Sequence, residues 1–172
     1  LKDLGYGPDD YDRIFLDVGW EAAASYQYLR EDLPRVVGPI TWLRREIDIE
    51  PDLAPLVAKY EDRLGHYSAM VRRVLKYANM PSGAQRWCTT KLKLAPARRY
   101  FLSRSFEPVN VVGIRAQESH KRATMTEHDW SAKLDAPVWR PIIAWTLDDV
   151  IAIHQRHNVS PNPLYFSGQT RV

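Results

Sequence analysis

Val109-Asn-Val-Val-Gly-Ile-Arg-Ala-Gln-Glu-Ser-His-Lys-Arg122 joins an apolar run to a charged turn. Val109, Val111 and Val112 give the run the composition of a buried strand, and Gly113 ends it. In open α/β sheets, ligands bind beyond the carboxyl ends of the strands. The residues that follow Gly113 therefore begin where such a fold would hold a ligand.

The charged turn contains side chains that suit an anion. Arg115 and Arg122 offer planar, permanently charged forks to phosphate or sulfate. Ser119 adds a hydroxyl, and Glu118 can orient an arginine or accept a hydrogen bond from a ribose hydroxyl. A surface loop with solvated charges is the alternative, because charged turns are common. On these residues alone the two interpretations stay open.

Strands alternate with helices along the chain. The predicted strands are Arg13–Val18, Ile40–Ile47, Val109–Ile114 and Val138–Ile143. The predicted helices are Glu21–Leu33, closed by Pro34 and Gly38; a segment from an Asp52 N-cap to Leu64; Tyr67–Ala78; Thr89–Ser103, interrupted by Pro96; and a segment from a Thr146 cap to about His157, with Val150, Ile151 and Ile153 facing inward. This order predicts an α/β fold with a mostly parallel sheet covered on both faces, in a single domain over residues 1–172.

Four further segments accompany the charged turn. Asp17-Val-Gly-Trp-Glu21 follows a strand, and Arg86-Trp-Cys-Thr-Thr-Lys-Leu-Lys93 precedes a proline. Trp139-Arg-Pro-Ile-Ile-Ala-Trp-Thr-Leu-Asp-Asp-Val150 runs from a strand into a helix, and Asn162-Pro-Leu-Tyr-Phe-Ser-Gly-Gln-Thr-Arg171 is a rigid, turn-rich loop. In this order the five segments resemble the phosphoadenylyl-sulfate (PAPS) reductase family of the adenine nucleotide alpha hydrolases, also called PP-loop ATP pyrophosphatases. The resemblance covers nearly the whole chain and implies a Rossmann-like three-layer sandwich.

The resemblance also implies where a nucleotide binds. It puts the adenosine end at the Asp17–Glu21 turn, although Val18 stands where the reductases usually have Thr. A helix N-terminus stabilised by Glu21 is the alternative for this turn. The implied nucleotide-binding residues are Asp17, Gly19, Glu21, Gly113, Glu118 and Ser119; the implied phosphate- or sulfate-binding residues are Arg86, Lys91, Arg115, Arg122 and Arg171. No residue is assigned a catalytic role.

The charge distribution also allows a larger ligand. The net charge is only +3, but the stretch from Arg86 to Arg104 contains six basic residues and no Asp or Glu. Such a surplus attracts a polyanion, either nucleotide phosphates or nucleic acid. A basic helix facing water is the alternative.

Cys88 is the single cysteine, which excludes an internal disulfide framework and suits a reducing cytoplasm. An iron–sulfur cluster usually needs four thiolates, so a cluster with Cys88 as a ligand would require cysteines outside this chain. A small, partly buried thiol is the alternative. His154 and His157 lack a third ligand at sensible spacing, so no metal site is predicted. No apolar run is long enough to span a bilayer.

Two chemistries fit the resemblance. A sulfonucleotide reductase acts on an adenylyl sulfate or PAPS, with a thiol reductant as its partner. An ATP pyrophosphatase uses ATP, with Mg²⁺, to adenylate an acceptor, and DNA-modifying relatives add a sulfur donor. A different class is a non-catalytic module that binds nucleic acid through the basic stretch. The family's Ser-Gly-Gly-x-Asp-Ser phosphate loop and its C-terminal cysteine region are not in this sequence, so we expect a chain that is incomplete at both ends.

Overall fold

The computed structural model describes residues 4–7 and 9–168. The chain divides into two compact units. The first comprises Leu1–Ala22 and Pro39–Tyr100, and the second comprises Ala23–Gly38 and Phe101–Val172.

The first unit contains a parallel pair of strands and four helical segments. Strand β1 (Ile14–Asp17) pairs with β2 (Thr41–Arg44), and Ile14 lies opposite Thr41. The helices are α3 (Ala54–Leu64), α4 (Ala69–Tyr77), a π-helical segment (Cys88–Leu94) and α5 (Ala95–Leu102), which continues directly from it.

The core of the first unit lies behind the exit of β1. Its buried members are Val18, Ile47, Ala69, Met70, Trp87 and Leu92. The Met70 backbone N–H donates to the Val18 carbonyl at 2.9 Å, so the start of α4 is fixed to the end of β1. This packing determines how the Asp17–Glu21 turn leaves the strand.

The second unit contains the remaining strands and helices. It begins with α1 (Ala23–Gln27), a π-helical segment (Tyr28–Asp32) and α2 (Leu33–Val37). After β3 (Asn110–Val111) come a 3₁₀ turn (Ala116–Glu118), α6 (His120–Ala123), β4 (His128–Ser131), β5 (Ala136–Trp139), α7 (Leu147–Arg156) and a 3₁₀ helix (Pro163–Ser167). The strand order is β3-β5-β4, with β5 parallel to β3 and antiparallel to β4.

The predicted helix Glu21–Leu33 starts later and runs further than expected, through Pro34 to Val37. The π-helical segment explains this difference. The Leu33 N–H donates to the Tyr28 carbonyl, which is five residues back, so the turn before the proline is wider than an α-turn. A wider turn makes room for the proline ring, and Gly38 (φ 87°) then ends the helix.

Strand β4 is absent from the prediction. Three of its four residues are exposed, so His128–Ser131 lacks the apolar alternation that signals a strand. It pairs antiparallel with β5 across a turn in which Asp135 has φ 57°. The sheet of the second unit is therefore mixed, and β5 ends at Trp139 rather than at Ile143.

The structure contradicts two smaller expectations and confirms a third. Asp52 does not cap α3, because the residue before that helix is Leu53 and no side chain caps it. Ile151 is 41% exposed rather than facing inward. Thr146 caps α7 as predicted. The α/β class is confirmed, and within the described residues no helix is long and apolar enough to cross a bilayer.

Candidate functional site

The turn after β1 is held by a hydrogen bond between two of its own residues. Asp17 is 8% exposed, and its carboxylate accepts a hydrogen bond from the Gly19 backbone N–H at 2.8 Å. Such a bond between a carboxylate and a backbone N–H two residues on is typical of an Asx turn. Asp17 therefore has a structural role in this turn whether or not a ligand is bound.

Gly19 is required by packing inside the first unit. It adopts φ +72°, and a Cβ here would lie 2.4 Å from Ser68 Cα and 2.7 Å from the Tyr67 carbonyl oxygen. Only glycine tolerates both the left-handed backbone and this close approach. The close partner of this glycine is the backbone that leads into α4, and no ligand is needed to explain it.

The next residues of the turn face solvent. Lys93 Nζ lies 3.4 Å from Glu21 Oε1, and these side chains are 40% and 32% exposed. Trp20, between Gly19 and Glu21, is 56% exposed. The turn thus offers a carboxylate, an ammonium group and an aromatic face to the surroundings.

The two lysines of the basic stretch from Arg86 to Arg104 lie in different surroundings. Lys91 is exposed, and its carbonyl accepts from the Arg45 guanidinium at 3.4 Å. Lys93 is the lysine that reaches the Glu21 side chain. Arg86 is exposed just before the π-helical segment. Sequence reasoning selected Lys91 and missed the position of Lys93, which spacing alone could not distinguish.

Cys88 is half-buried and packs against the core of the first unit. One thiolate does not fit a conventional iron–sulfur cluster, which usually needs four. Among residues 4–7 and 9–168, no three His, Cys, Asp or Glu side chains come together to hold a metal ion.

The charged turn of the second unit is anchored to the chain around β5. The Val112 N–H donates to the Trp139 carbonyl at 2.9 Å, and the Ala116 N–H donates to the Ile143 carbonyl at 2.7 Å. A Cβ on Gly113 would meet Ile142 Cδ1 at 3.5 Å, which is an ordinary contact. The turn is therefore held by backbone bonds on both sides of a glycine that packing does not require.

Glu118 joins the two arginines of this turn. Arg115 Nε lies 3.4 Å from Glu118 Oε1, and Arg122 Nη1 contacts Glu118 Oε2. The side chains of Arg115 and Glu118 are 4% and 9% exposed, whereas that of Arg122 is 28% exposed. A carboxylate shared by two guanidiniums leaves the trio with one net positive charge, and Arg122 is its most exposed member.

Two polar side chains complete this cluster. Gln117 Oε1 accepts from Arg115 Nη1 at 3.2 Å and from the Leu147 N–H, at the start of α7, at 3.1 Å. Ser119 caps α6, since its hydroxyl accepts from the Arg122 N–H at 3.3 Å. Sequence reasoning missed Gln117, because an amide between charged residues carries no distinctive signal.

The helix and loop after β5 are fixed by side-chain bonds. Thr146 and Asp149 form a capping box at the start of α7, and the Thr146 N–H lowers the pKa of the Asp149 carboxyl. Asn162 caps the following 3₁₀ helix and donates to the Ser25 hydroxyl at 3.2 Å. Tyr28 donates to the Ser160 carbonyl at 2.9 Å, and burial raises the pKa of its phenol.

The predicted site residues fall into two groups. Asp17, Gly19, Glu21, Arg86 and Lys91 belong to the first unit. The second unit contains Gly113, Arg115, Glu118, Ser119 and Arg122, of which the last four form one connected cluster. Arg171 lies outside the described residues.

Comparison with protein families gives a match over nearly the whole chain. The profile of the phosphoadenosine phosphosulfate reductase domain matches residues 8–172. The match bears out the Rossmann-like class and the resemblance in the sequence motifs.

Two curated proteins are similar to parts of the chain. A segment of 98 residues is 40% identical to an uncharacterized 37.8 kDa protein of Escherichia phage 186, covering 54% of this chain and 29% of that protein. A segment of 96 residues is 30% identical to the adenosine 5'-phosphosulfate reductase of Allochromatium vinosum, covering 56% of this chain and 36% of the reductase. The similarity thus spans about a third of each relative.

Proposed function

The chain belongs to the phosphoadenosine phosphosulfate reductase domain family, and from this premise we propose that it binds an adenylyl sulfate within a sulfonucleotide-reducing enzyme. At the level of the family, an enzymatic role in sulfur metabolism with a nucleotide substrate is supported. The observation that carries the finer proposal is the cluster in which Glu118 bridges Arg115 and Arg122.

In this proposal Arg122 contacts the anion. Its side chain is the most exposed of the trio, and a guanidinium has five N–H donors in a planar fork that suits sulfate or phosphate oxygens. Arg115 is a positioning residue, because it is buried and engaged with Gln117 and Glu118. Glu118 fixes the direction of the Arg122 fork, which reduces the ordering cost of anion binding.

The turn after β1 is proposed, for the first unit taken by itself, to offer hydrogen-bond acceptors to a nucleoside. Glu21 accepts hydrogen bonds from ribose hydroxyls or the adenine amine, and Lys93 balances its charge. Gly19 and Asp17 keep the turn in shape through the bond between them and the close packing on Ser68. Trp20 offers an exposed aromatic face next to these groups.

The chemistry that follows is attack of a thiolate on the sulfur. The new S–S bond replaces the bond between sulfur and the AMP oxygen, and AMP leaves with the electron pair. A cation on the phosphosulfate stabilises the charge that develops on the leaving phosphate. Cys88 is packed against a core, so the attacking thiolate and the thiol reductant are assigned to groups other than Cys88.

Calorimetric titration tests the proposal. Adenosine 5'-phosphosulfate, PAPS and ATP with Mg²⁺ are titrated separately into the polypeptide, its Arg122→Gln variant and the matched control Lys121→Gln. Lys121 is an exposed neighbour whose side chain has no role in the cluster. We expect a sulfated ligand to bind best, and Arg122→Gln to weaken it about 10- to 100-fold, as for loss of a charged hydrogen bond.

The other outcomes are equally informative. Preference for ATP over both sulfated ligands would replace reduction by ATP pyrophosphatase chemistry. Equal losses in Arg122→Gln and Lys121→Gln would reduce the cluster to a general electrostatic effect. Absence of binding by all three ligands would overturn the proposal.

A further inference from the structure

We infer that an exposed basic surface of the first unit binds the phosphate backbone of double-stranded DNA. The basic surface comprises the exposed side chains of Arg86, Lys91, Arg98 and Arg99 and the half-buried Arg45 beside Lys91. Arg86 and Lys91 are among the phosphate-binding residues that the family resemblance implies, but the anion site proposed above relies on Arg122, so the two proposals can fail separately.

The charges of the chain are strongly segregated. Residues 63–106 contain ten of the 24 basic residues and none of the 21 acidic ones. The rest of the chain therefore has 14 basic and 21 acidic residues and is net negative. The modest net charge of +3 conceals one strongly positive segment of 44 residues. A field of one sign over such a segment attracts polyanions and speeds their association.

Eight of these ten cations fall into two groups, those held by carboxylates or aromatic rings and those exposed to solvent. Three of them are neutralised by carboxylates from other parts of the first unit, in the pairs Arg72–Glu61, Lys76–Glu50 and Lys93–Glu21. Arg73 stacks on the rings of Tyr77 and Trp87. In contrast, Arg86, Lys91, Arg98 and Arg99 are exposed and form no ion pair with any Asp or Glu that the structure describes. The unneutralised charge is therefore concentrated at the surface.

These cations share the outer side of one helical stretch. In the continuous helix formed by the π-helical segment and α5, Lys91, Arg98 and Arg99 are exposed. The buried residues of that stretch are Leu92, Pro96 and Ala97. The Arg45 guanidinium adds a further charge, since it lies against the Lys91 carbonyl at 3.4 Å. A helix with one face in a core and a cationic opposite face presents its charges together.

The composition of this surface favours a duplex over a single strand. Proteins that bind single strands add exposed aromatic rings on which bases stack. Within residues 86–99 the one aromatic residue is Trp87, and it is 9% exposed. A surface of guanidinium and ammonium groups without stacking rings contacts phosphates alone. We therefore expect binding to be independent of base sequence.

Fluorescence anisotropy with a labelled random-sequence DNA duplex tests this inference on the polypeptide. With five phosphate contacts, the logarithm of the association constant should fall with the logarithm of salt concentration with a slope of about −4 to −5. Arg98→Gln/Arg99→Gln should reduce the slope by about 2 and weaken binding about 50-fold at ~0.1 M salt. Lys59→Gln/Arg63→Gln, which removes two exposed charges from α3, is the matched control and should change neither as much.

Two further experiments identify the cause of each result. Arg98→Lys/Arg99→Lys retains both charges and should retain the slope, which a variant that merely damages the helix would not do. Calorimetry with the sulfated nucleotide should give unchanged affinity in Arg98→Gln/Arg99→Gln. Equal losses in the two double Gln variants, tighter binding of a single strand than of the duplex, or no duplex binding at ~50 mM salt would each overturn the inference.

Discussion

The chain contains two strand exits, the turns that follow β1 and β3. They share a sequence pattern but are held by different interactions. Each has an apolar strand, a glycine and then charged residues, at Asp17–Glu21 and at Gly113–Arg122. In the first, the glycine is enforced by backbone packing and the ion pair that follows is open to solvent. In the second, the glycine has ordinary space around it and the charges are buried against one another.

The difference separates shape from charge. The conformation of the first exit is fixed by its backbone, because Gly19 packs closely against Ser68 and the Asp17 carboxylate accepts a hydrogen bond from the Gly19 N–H. The conformation of the second exit depends on the ion pairs that Glu118 forms with Arg115 and Arg122. A strand followed by glycine and charges therefore predicts a candidate site but does not indicate which of the two kinds it is.

The largest expected effect comes from adding one methyl group at each glycine. Gly19→Ala puts Cβ 2.4 Å from Ser68 Cα on a left-handed backbone, so unfolding in urea should show a loss of at least ~3 kcal/mol. Gly113→Ala meets only a side-chain methyl at 3.5 Å and should change stability by less than ~1 kcal/mol. Similar losses in the two variants would remove the distinction between the exits.

Removing the carboxylate charge at each exit should give the next largest contrast. Glu118→Gln leaves buried Arg115 without its counter-charge and should cost about 3 kcal/mol of unfolding free energy. Glu21→Gln breaks a part-exposed pair and should cost less than ~1 kcal/mol. Urea unfolding at neutral pH measures both. A Glu118→Gln protein as stable as Glu21→Gln would contradict the view of Glu118 as a buried bridge.

A third prediction concerns pH in the first unit. Arg72 holds the pKa of the Glu61 carboxyl below its usual value of 4.5, and the two side chains are joined at 2.8 Å. Because the folded pKa is lowered, this pair contributes stability above pH 4.5 and loses it as the pH falls through the folded value. Urea midpoints measured downward from pH 6 should fall less steeply in Glu61→Gln than in the unmodified chain. Parallel curves would contradict the assignment.

The smallest effect is expected at the start of α7. Thr146→Ala removes the hydroxyl that accepts the Asp149 N–H and should cost about 1 kcal/mol, whereas Thr146→Ser should retain most of the stability. The same change should leave binding at Arg122 nearly unaffected, because Gln117 contacts the Leu147 backbone rather than the Thr146 side chain. A loss of ligand affinity in Thr146→Ala would show that the cap supports the cluster.

Much of the fold followed from local patterns. The apolar β1 and the Thr146 cap were predictable, because burial and capping leave direct marks in residue type. The passage of a helix through Pro34 was not, since the π-helical segment that accommodates it has no sequence signature. Strand β4 was not predictable either, because its pairing with β5 is a tertiary effect on exposed polar residues.

For the site, residue types were easier to predict than their tasks. The arginines and Glu118 were selected because planar, charged side chains after a strand suit an anion, and their binding of one stays a prediction. Burial, which sequence does not reveal, now separates Arg115 as a support from Arg122 as the proposed contact. Lys91 stays a predicted phosphate contact, whereas the position of Lys93 beside Glu21 depended on which side of the helix meets that carboxylate.

The most direct test of the central claim is a thermodynamic cycle at Arg122. Calorimetry gives the affinities of adenosine 5'-phosphosulfate and of AMP, which lacks the sulfate, for the unmodified polypeptide and for Arg122→Gln. If Arg122 binds the sulfate, the preference for the sulfated ligand should fall about 10- to 100-fold in the variant, while AMP affinity changes little. If the preference for the sulfated ligand is the same in both proteins, Arg122 does not contact the sulfate and the account is wrong.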